Sequence, residues 1–201
     1  MKAIVKLMNI GVLAATFLAV SPLAMPLVRQ ALAPRVVHHP QPVLAPPGVR
    51  HLNKVEDLVF AMTNQARLPK GLAPLSKDAE LGNVARAYSD DMLVRRFFDH
   101  SNPDGVSFDD RLAEQYHYWV RVMGENIWGA FGYDTDNPQK LAKLIVADWM
   151  RSPGHRENLL SPDFTHLGVG VSARGQTIRA TQEFVGKSKG FSLRNLLSLG
   201  P

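Results

Sequence analysis

The stretch "HLGVGVSARGQTIRATQEFVG", residues 166–186, constrains the fold more than any other part of this chain. It reads as two strands joined around Ala173-Arg174-Gly175-Gln176, a β-hairpin by its turn residues and alternation. Upstream, the spacing is mostly helical. A chain that runs helices first and closes on a hairpin favours an α+β fold, with helices packed on an antiparallel sheet.

The helical segments are read from periodicity and caps. Val55, Leu58, Val59 and Met62 recur three and four residues apart and mark one buried face, with Asn53 and Glu56 in capping-box register. "LPKGLAPL" (68–75) is a loop, after which Ser76 is expected to cap a helix over about 77–96, Leu81, Val84, Ala85, Tyr88 and Met92 facing inward. Asn102-Pro103-Asp104-Gly105 is a turn, and Ser107 with Asp110 caps a short third helix. A fourth spans about Gln139 to Met150, with Leu141, Leu144, Ile145 and Trp149 inward, and a strand is expected in "NIWGAFG" after Gly124-Glu125.

The N-terminal region is of another kind. Residues 1–33 carry Lys2, Lys6 and Arg29 and no acid, with an uncharged run from Leu7 to Val28. That is the pattern of an export signal, and Pro22 and Pro26 favour it over an uncleaved membrane anchor. Residues 34–52 form a proline-rich linker, the expected domain covers 53–186, and 187–201 read as a C-terminal tail. His38 and His39, in the linker, are expected to be solvated spacer residues. Without residues 1–33, 20 of the 23 basic residues remain against 18 acidic ones, a net charge of +2. With those charges mixed, a nucleic-acid partner is rejected. The absence of cysteine excludes thiol nucleophiles, Cys-based zinc sites and a lipidated cysteine.

The chemistry gathers at turns. In "WMRSPGHRENLLSP" (149–162) an apolar helical stripe ends at Ser152-Pro153-Gly154, and His155 opens a second amphipathic turn. His100 stands just before the Asn-Pro-Asp-Gly turn and Glu125 follows a glycine. No His-Glu-x-x-His helix, Gly-x-Ser-x-Gly elbow or phosphate-binding Gly-x-x-x-x-Gly-Lys occurs, and the His-x-Glu at 155–157 lacks the cysteines of a zinc deaminase. A structural polar network is as compatible with His100, Glu125 and His155 as a working site. His166 is read as a surface residue, His117 as packed or exposed, and "YHYW" (116–119) as a loop folding over the core.

"FFDHSNPDG", "GENIWG", "WMRSPGHRENLLSPDFTHLGVGV" and "TQEFV" occur in this order and resemble the hallmarks of the bacterial branch of the CAP (SCP) superfamily, over about residues 54–186. The resemblance implies a three-layer α-β-α sandwich with a central antiparallel sheet and a cleft. In many members two histidines and two glutamates line that cleft, and the histidines hold zinc or another divalent ion. Motif by motif, the first histidine is His100, the first glutamate Glu125 and the second histidine His155. The second glutamate's place, three residues after Trp149, holds Ser152. Serine lacks the charge of a carboxylate ligand or base, which weighs against hydrolysis. The expected cleft is therefore His100, Glu125, Ser152 and His155, with Zn²⁺ or another divalent metal on the two imidazoles. The helix dipole at the start of its helix is expected to hold His155 neutral.

The resemblance implies a secreted or cell-envelope protein that binds a lipid or a protein partner, touching a membrane only through an uncleaved anchor. The enzymatic alternative is a metal-assisted hydrolase or peptidase with Glu125 as catalytic general base.

Overall fold

In a computed structural model of the chain, residues 43–118 and 120–187 are described in full and Ile4–Leu7 by backbone alone. The linker histidines, Trp119 and the tail from residue 188 lie outside the described residues, as does the N-terminal region apart from Ile4–Leu7. The elements are β1 (Ile4–Leu7), β2 (Arg50–His51), α1 (Asn53–Arg67), a single 3-10 turn (Leu68–Lys70) within the expected loop, β3 (Ser76–Lys77), α2 (Ala79–Val94), α3 (Phe108–Gln115), β4 (Val120–Phe131), α4 (Pro138–Arg151), α5 (Pro153–Leu159), β5 (His166–Arg174) and β6 (Thr177–Lys187). The sheet runs β1-β4-β6-β5-β2 with antiparallel pairing, and only the two-residue β3 joins β5 in parallel. β1 falls within the segment read as an export signal; its backbone pairs along β4 from Val122 to Glu125.

The expected hairpin is the centre of the sheet. Gly175, at φ +57°, and Gln176 connect β5 to β6, a two-residue link that needs a residue tolerant of positive φ. Alternation then sends side chains to two faces. On one face Leu167, Val169, Val171, Ile178, Ala180 and Phe184 pack against Val55 and Val59 of α1 and Leu141, Ile145 and Trp149 of α4. On the other, Val185 and Met123 meet Leu81, Phe108 and Leu112, while Ile127 meets Tyr88 and Met92. These are the two helical layers of an α-β-α sandwich.

The second layer lies unusually close to the sheet because β5 carries glycine on that face. A Cβ on Gly168 would sit 2.2 Å from the backbone of Leu81, and one on Gly170 2.2 Å from the backbone nitrogen of Arg86. The helix axis therefore presses onto bare strand backbone, and α2 leads directly to the loop bearing His100.

Two expected caps are corrected. Asn53 does not cap α1; Leu52 holds that position without a side-chain bond. Glu56 is buried and drawn away to Arg86 (2.6 Å) and the backbone N–H of Val171 (3.1 Å), because a long-range charged partner outcompetes the local cap. Ser76 belongs to β3, and Asp78 caps α2 through the N–H groups of Glu80 (3.0 Å) and Leu81 (3.1 Å). At α3 the expected box forms: Ser107 N–H donates to Asp110 at 3.3 Å. The strand expected from Asn126 starts six residues earlier, at Val120, so Glu125 lies inside β4 rather than before it.

Candidate functional site

The site is held where α3, the loop after α2, and α5 converge on the middle of β4. Glu125 projects toward the α2 layer and is fully buried. One carboxylate oxygen lies 2.6 Å from His100 Nδ1, and the other accepts a 2.6 Å bond from Arg111 Nη2. Arg111 comes from α3, lies 3.2 Å from the centre of the Tyr88 ring, and also donates to the carbonyl of His100 at 3.0 Å. One arginine thus clamps both the acid and the backbone of the histidine beside it. Breaking so buried a pair costs about 3–5 kcal/mol.

α5 brings His155 to the same place by a separate set of bonds. Ser152, extended at φ −85° and ψ 119°, ends α4, and Pro153 occupies the first turn of α5. Proline there needs no N–H donor, so the sharp corner costs little. Asn158 of α5 donates to the Glu125 carbonyl (3.1 Å) and to Asn126 Oδ1 (2.9 Å), while Asn126 donates to the carbonyl of His155 (3.2 Å). Trp149 Nε1 donates to the Ile127 carbonyl at 3.2 Å. Both helices are therefore pinned to the two residues flanking Asn126.

His155 is 1% exposed, and its Nε2 has no hydrogen-bond partner among the described residues. Its pKa is pushed down to about 4, first by burial and then by the charge of His100. The imidazole is neutral at neutral pH, as expected, but burial rather than the helix dipole is the leading cause. Ser152 is half-buried at the corner and makes no side-chain hydrogen bond to the trio among the described residues.

Three members of this centre escaped the sequence reading. Nothing in the spacing of the chain singles out Arg111. Asn158, inside the quoted motif "GHRENLL", carried no signal beyond its position there. Glu183, in "TQEFV", is the most consequential, because the β4–β6 register sets it directly across from Glu125. It is fully buried, and burial followed by the charge of Glu125 holds its pKa well above the usual carboxylate range. Two acids on one strand pair cannot both ionise cheaply in a dry interior.

Among the described residues, no three His, Asp or Glu side chains group to hold a metal ion. Glu125 already spends both oxygens on His100 and Arg111. The donors suited to a cation are two imidazoles, one oriented by a carboxylate and the other with an orphaned buried nitrogen.

Among the described residues the other histidines lie outside this centre, His51 bonding Asp90 at 2.9 Å. His117 Nδ1 lies 2.6 Å from Glu80 with its ring largely exposed, and His166, partly exposed at the start of β5, bonds Thr165 at 2.8 Å. Tyr116 folds over the core as expected, donating to Asp78 at 2.8 Å.

An α-β-α sandwich with a His-Glu-His centre at the junction of β4 and the α4–α5 corner defines a CAP-type domain. Residues 60–184 match the profile of the cysteine-rich secretory protein family, and the chain belongs to that family although it contains no cysteine. It is 41% identical over 133 residues to the protein YkwD of Bacillus subtilis, covering 66% of this chain and 47% of YkwD. It is 38% identical over 122 residues to the membrane protein YlbC of the same organism, covering 61% of this chain and 33% of YlbC. The chain thus spans less than half the length of these relatives. An extracellular protein with an SCP domain from Bacillus anthracis superposes with a TM-score of 0.56 at 33% identity, covering 67% of this chain and 41% of that one. Among the described residues no helix is long and apolar enough to cross a membrane.

Proposed function

We propose that this protein is an exported binding module whose cleft holds a divalent cation on His100 and His155 and whose groove takes a lipid or protein ligand. One observation carries the metal part of the reading: the buried, neutral imidazole of His155 leaves Nε2 without a hydrogen-bond partner among the described residues. A native fold rarely keeps a buried ring nitrogen so. His100, whose Nδ1 lies 2.6 Å from Glu125, is the second imidazole of the proposed pair, its ring oriented by that carboxylate. A bound Zn²⁺ would supply Lewis acidity; the chain itself supplies orientation and a largely dry wall.

The hydrolase alternative asks Glu125 to take a proton from water. Its oxygens are both engaged and its side chain is fully buried, which makes it an orienting group instead. Export is supported by the charged and apolar pattern of residues 1–33 and by the extracellular relative from Bacillus anthracis. Calorimetric titration with Zn²⁺ tests the metal reading. The expected outcome is binding by the wild type and its loss in His155→Ala; equal heats in the two proteins would remove the idea.

A further inference from the structure

At the hairpin end of the sheet, about 480 Å³ of cavity opens between the end of α2 and the β5–β6 turn. Arg96, Arg174 and Arg179 line it, with Met92, Leu93 and Thr177. None of the three arginines has a carboxylate partner among the described residues, and no Asp or Glu exists in residues 1–42 or 188–201 to supply one. The two acids just upstream on α2 are taken: Asp90 by His51 (2.9 Å) and Ser172 (2.6 Å), Asp91 by Arg95 (3.7 Å). Three positive charges thus converge on one cavity without neutralisation.

Their placement is constructed rather than incidental. Arg179 is half-buried: its Nη1 donates to the Ile178 carbonyl at 3.0 Å, while its Nε is buried and makes no hydrogen bond among the described residues, a costly state for that N–H. Room for the side chain comes from Gly129, its cross-strand partner on β4. A Cβ there would come within 2.9 Å of Arg179 Nη1 and 3.1 Å of Phe98. Phe98 in turn lies 5.1 Å from the guanidinium carbon and flanks it. Arg96 is, among the described residues, the sole non-glycine with positive φ, at +58°. It stands just past the end of α2, where glycine is the usual solution and any other residue is strained. A chain that holds an arginine there, and keeps the Nε of another buried without a hydrogen bond, gains when a counter-charge arrives.

We infer that the cavity bounded by Arg96, Arg174 and Arg179 is an oxyanion site, built for a phosphate group. Three arginines suit a phosphate better than a single carboxylate, because a dianion with three terminal oxygens can engage several guanidinium forks at once. Met92 and Leu93 add an apolar wall, so the phosphate can be a free ion, part of a small ester or a lipid headgroup. The site lies at the far end of the same sheet face as Glu125 and uses none of the residues assigned to the cation.

The test titrates inorganic phosphate into the wild-type protein in Tris chloride, following amide and arginine Nε–H resonances by NMR. A parallel arm sediments the protein with vesicles of phosphatidylglycerol or of phosphatidylcholine alone. The comparison protein carries Arg96→Gln with Arg174→Gln, both exposed positions, its fold checked by circular dichroism. We expect saturable shifts at Arg179 and its neighbours with phosphate, weakened about tenfold or more in the double variant. Binding to phosphatidylglycerol alone, lost in the same variant, would assign the phosphate to a lipid headgroup. Absence of both responses, or a double variant that binds as the wild type does, overturns the proposal.

Discussion

Acidification should unfold this protein partly through one residue. His155 has an ordinary pKa of 6.5 in the unfolded chain and about 4 in the folded one. Between these values the unfolded state binds a proton that the folded state refuses, so stability falls as pH falls. The contribution is complete above about pH 6.5 and lost progressively toward pH 4. At about 1.36 kcal/mol per pH unit the whole gap is worth about 3 kcal/mol, of which about 2 kcal/mol is gone by pH 5. Glu183 acts in the opposite sense. Its folded pKa is raised, so it favours the folded state at low pH and loses that contribution as pH rises above its ordinary value of 4.5. The two must therefore be separated by difference. Urea unfolding of wild type and His155→Gln, with EDTA present and the buried Trp128 and Trp149 as probes, gives the stability of each at pH 8, 6.5 and 5. The gap between the two proteins should change by about 2 kcal/mol from pH 8 to pH 5, the wild type losing more. A gap that stays constant to within about 0.5 kcal/mol would show that His155 is not held neutral by its burial.

Glu183→Gln keeps the shape of the protonated acid and removes its tendency to ionise; it should stabilise the fold at pH 8 and leave it little changed at pH 4, read by the same urea series. Gly170→Ala drives a methyl into the backbone of Ala85 and Arg86, which cannot yield as a side chain would. It should cost about 3 kcal/mol or more, or abolish soluble expression, whereas Gly105→Ala, whose Cβ meets nothing within 4 Å, should show only the milder strain of its positive φ.

Much of the site was legible as a constellation. His100, Glu125 and His155 stood beside turns in ordered motifs, and the structure brings His100 and Glu125 to 2.6 Å while tying the helix of His155 to the backbone of Glu125. Ser152 was legible only as a place, the helix corner, not as a participant. What could not be read were the partners that define the trio's chemistry. Arg111 reaches Glu125 because α3 packs its side chain over Tyr88, and no spacing in the chain announces that contact. Glu56 illustrates the opposite failure: its capping position was correct as local grammar, yet Arg86, thirty residues away, took the carboxylate.

The sequence by itself determined the elements whose cause is local. Alternation and a glycine at the turn produced the hairpin, three-four spacing the helices, and Ser107 with Asp110 the start of α3, because each depends on residues within one or two turns. Tertiary structure alone decided which charges share a space. Strand register set Glu183 against Glu125, burial turned His155 into a neutral base, and a glycine on β4 opened room for an arginine on β6 that has no carboxylate partner among the described residues. The reason is physical: protonation and charge pairing depend on distance and desolvation, and both arise only when segments remote in sequence pack together.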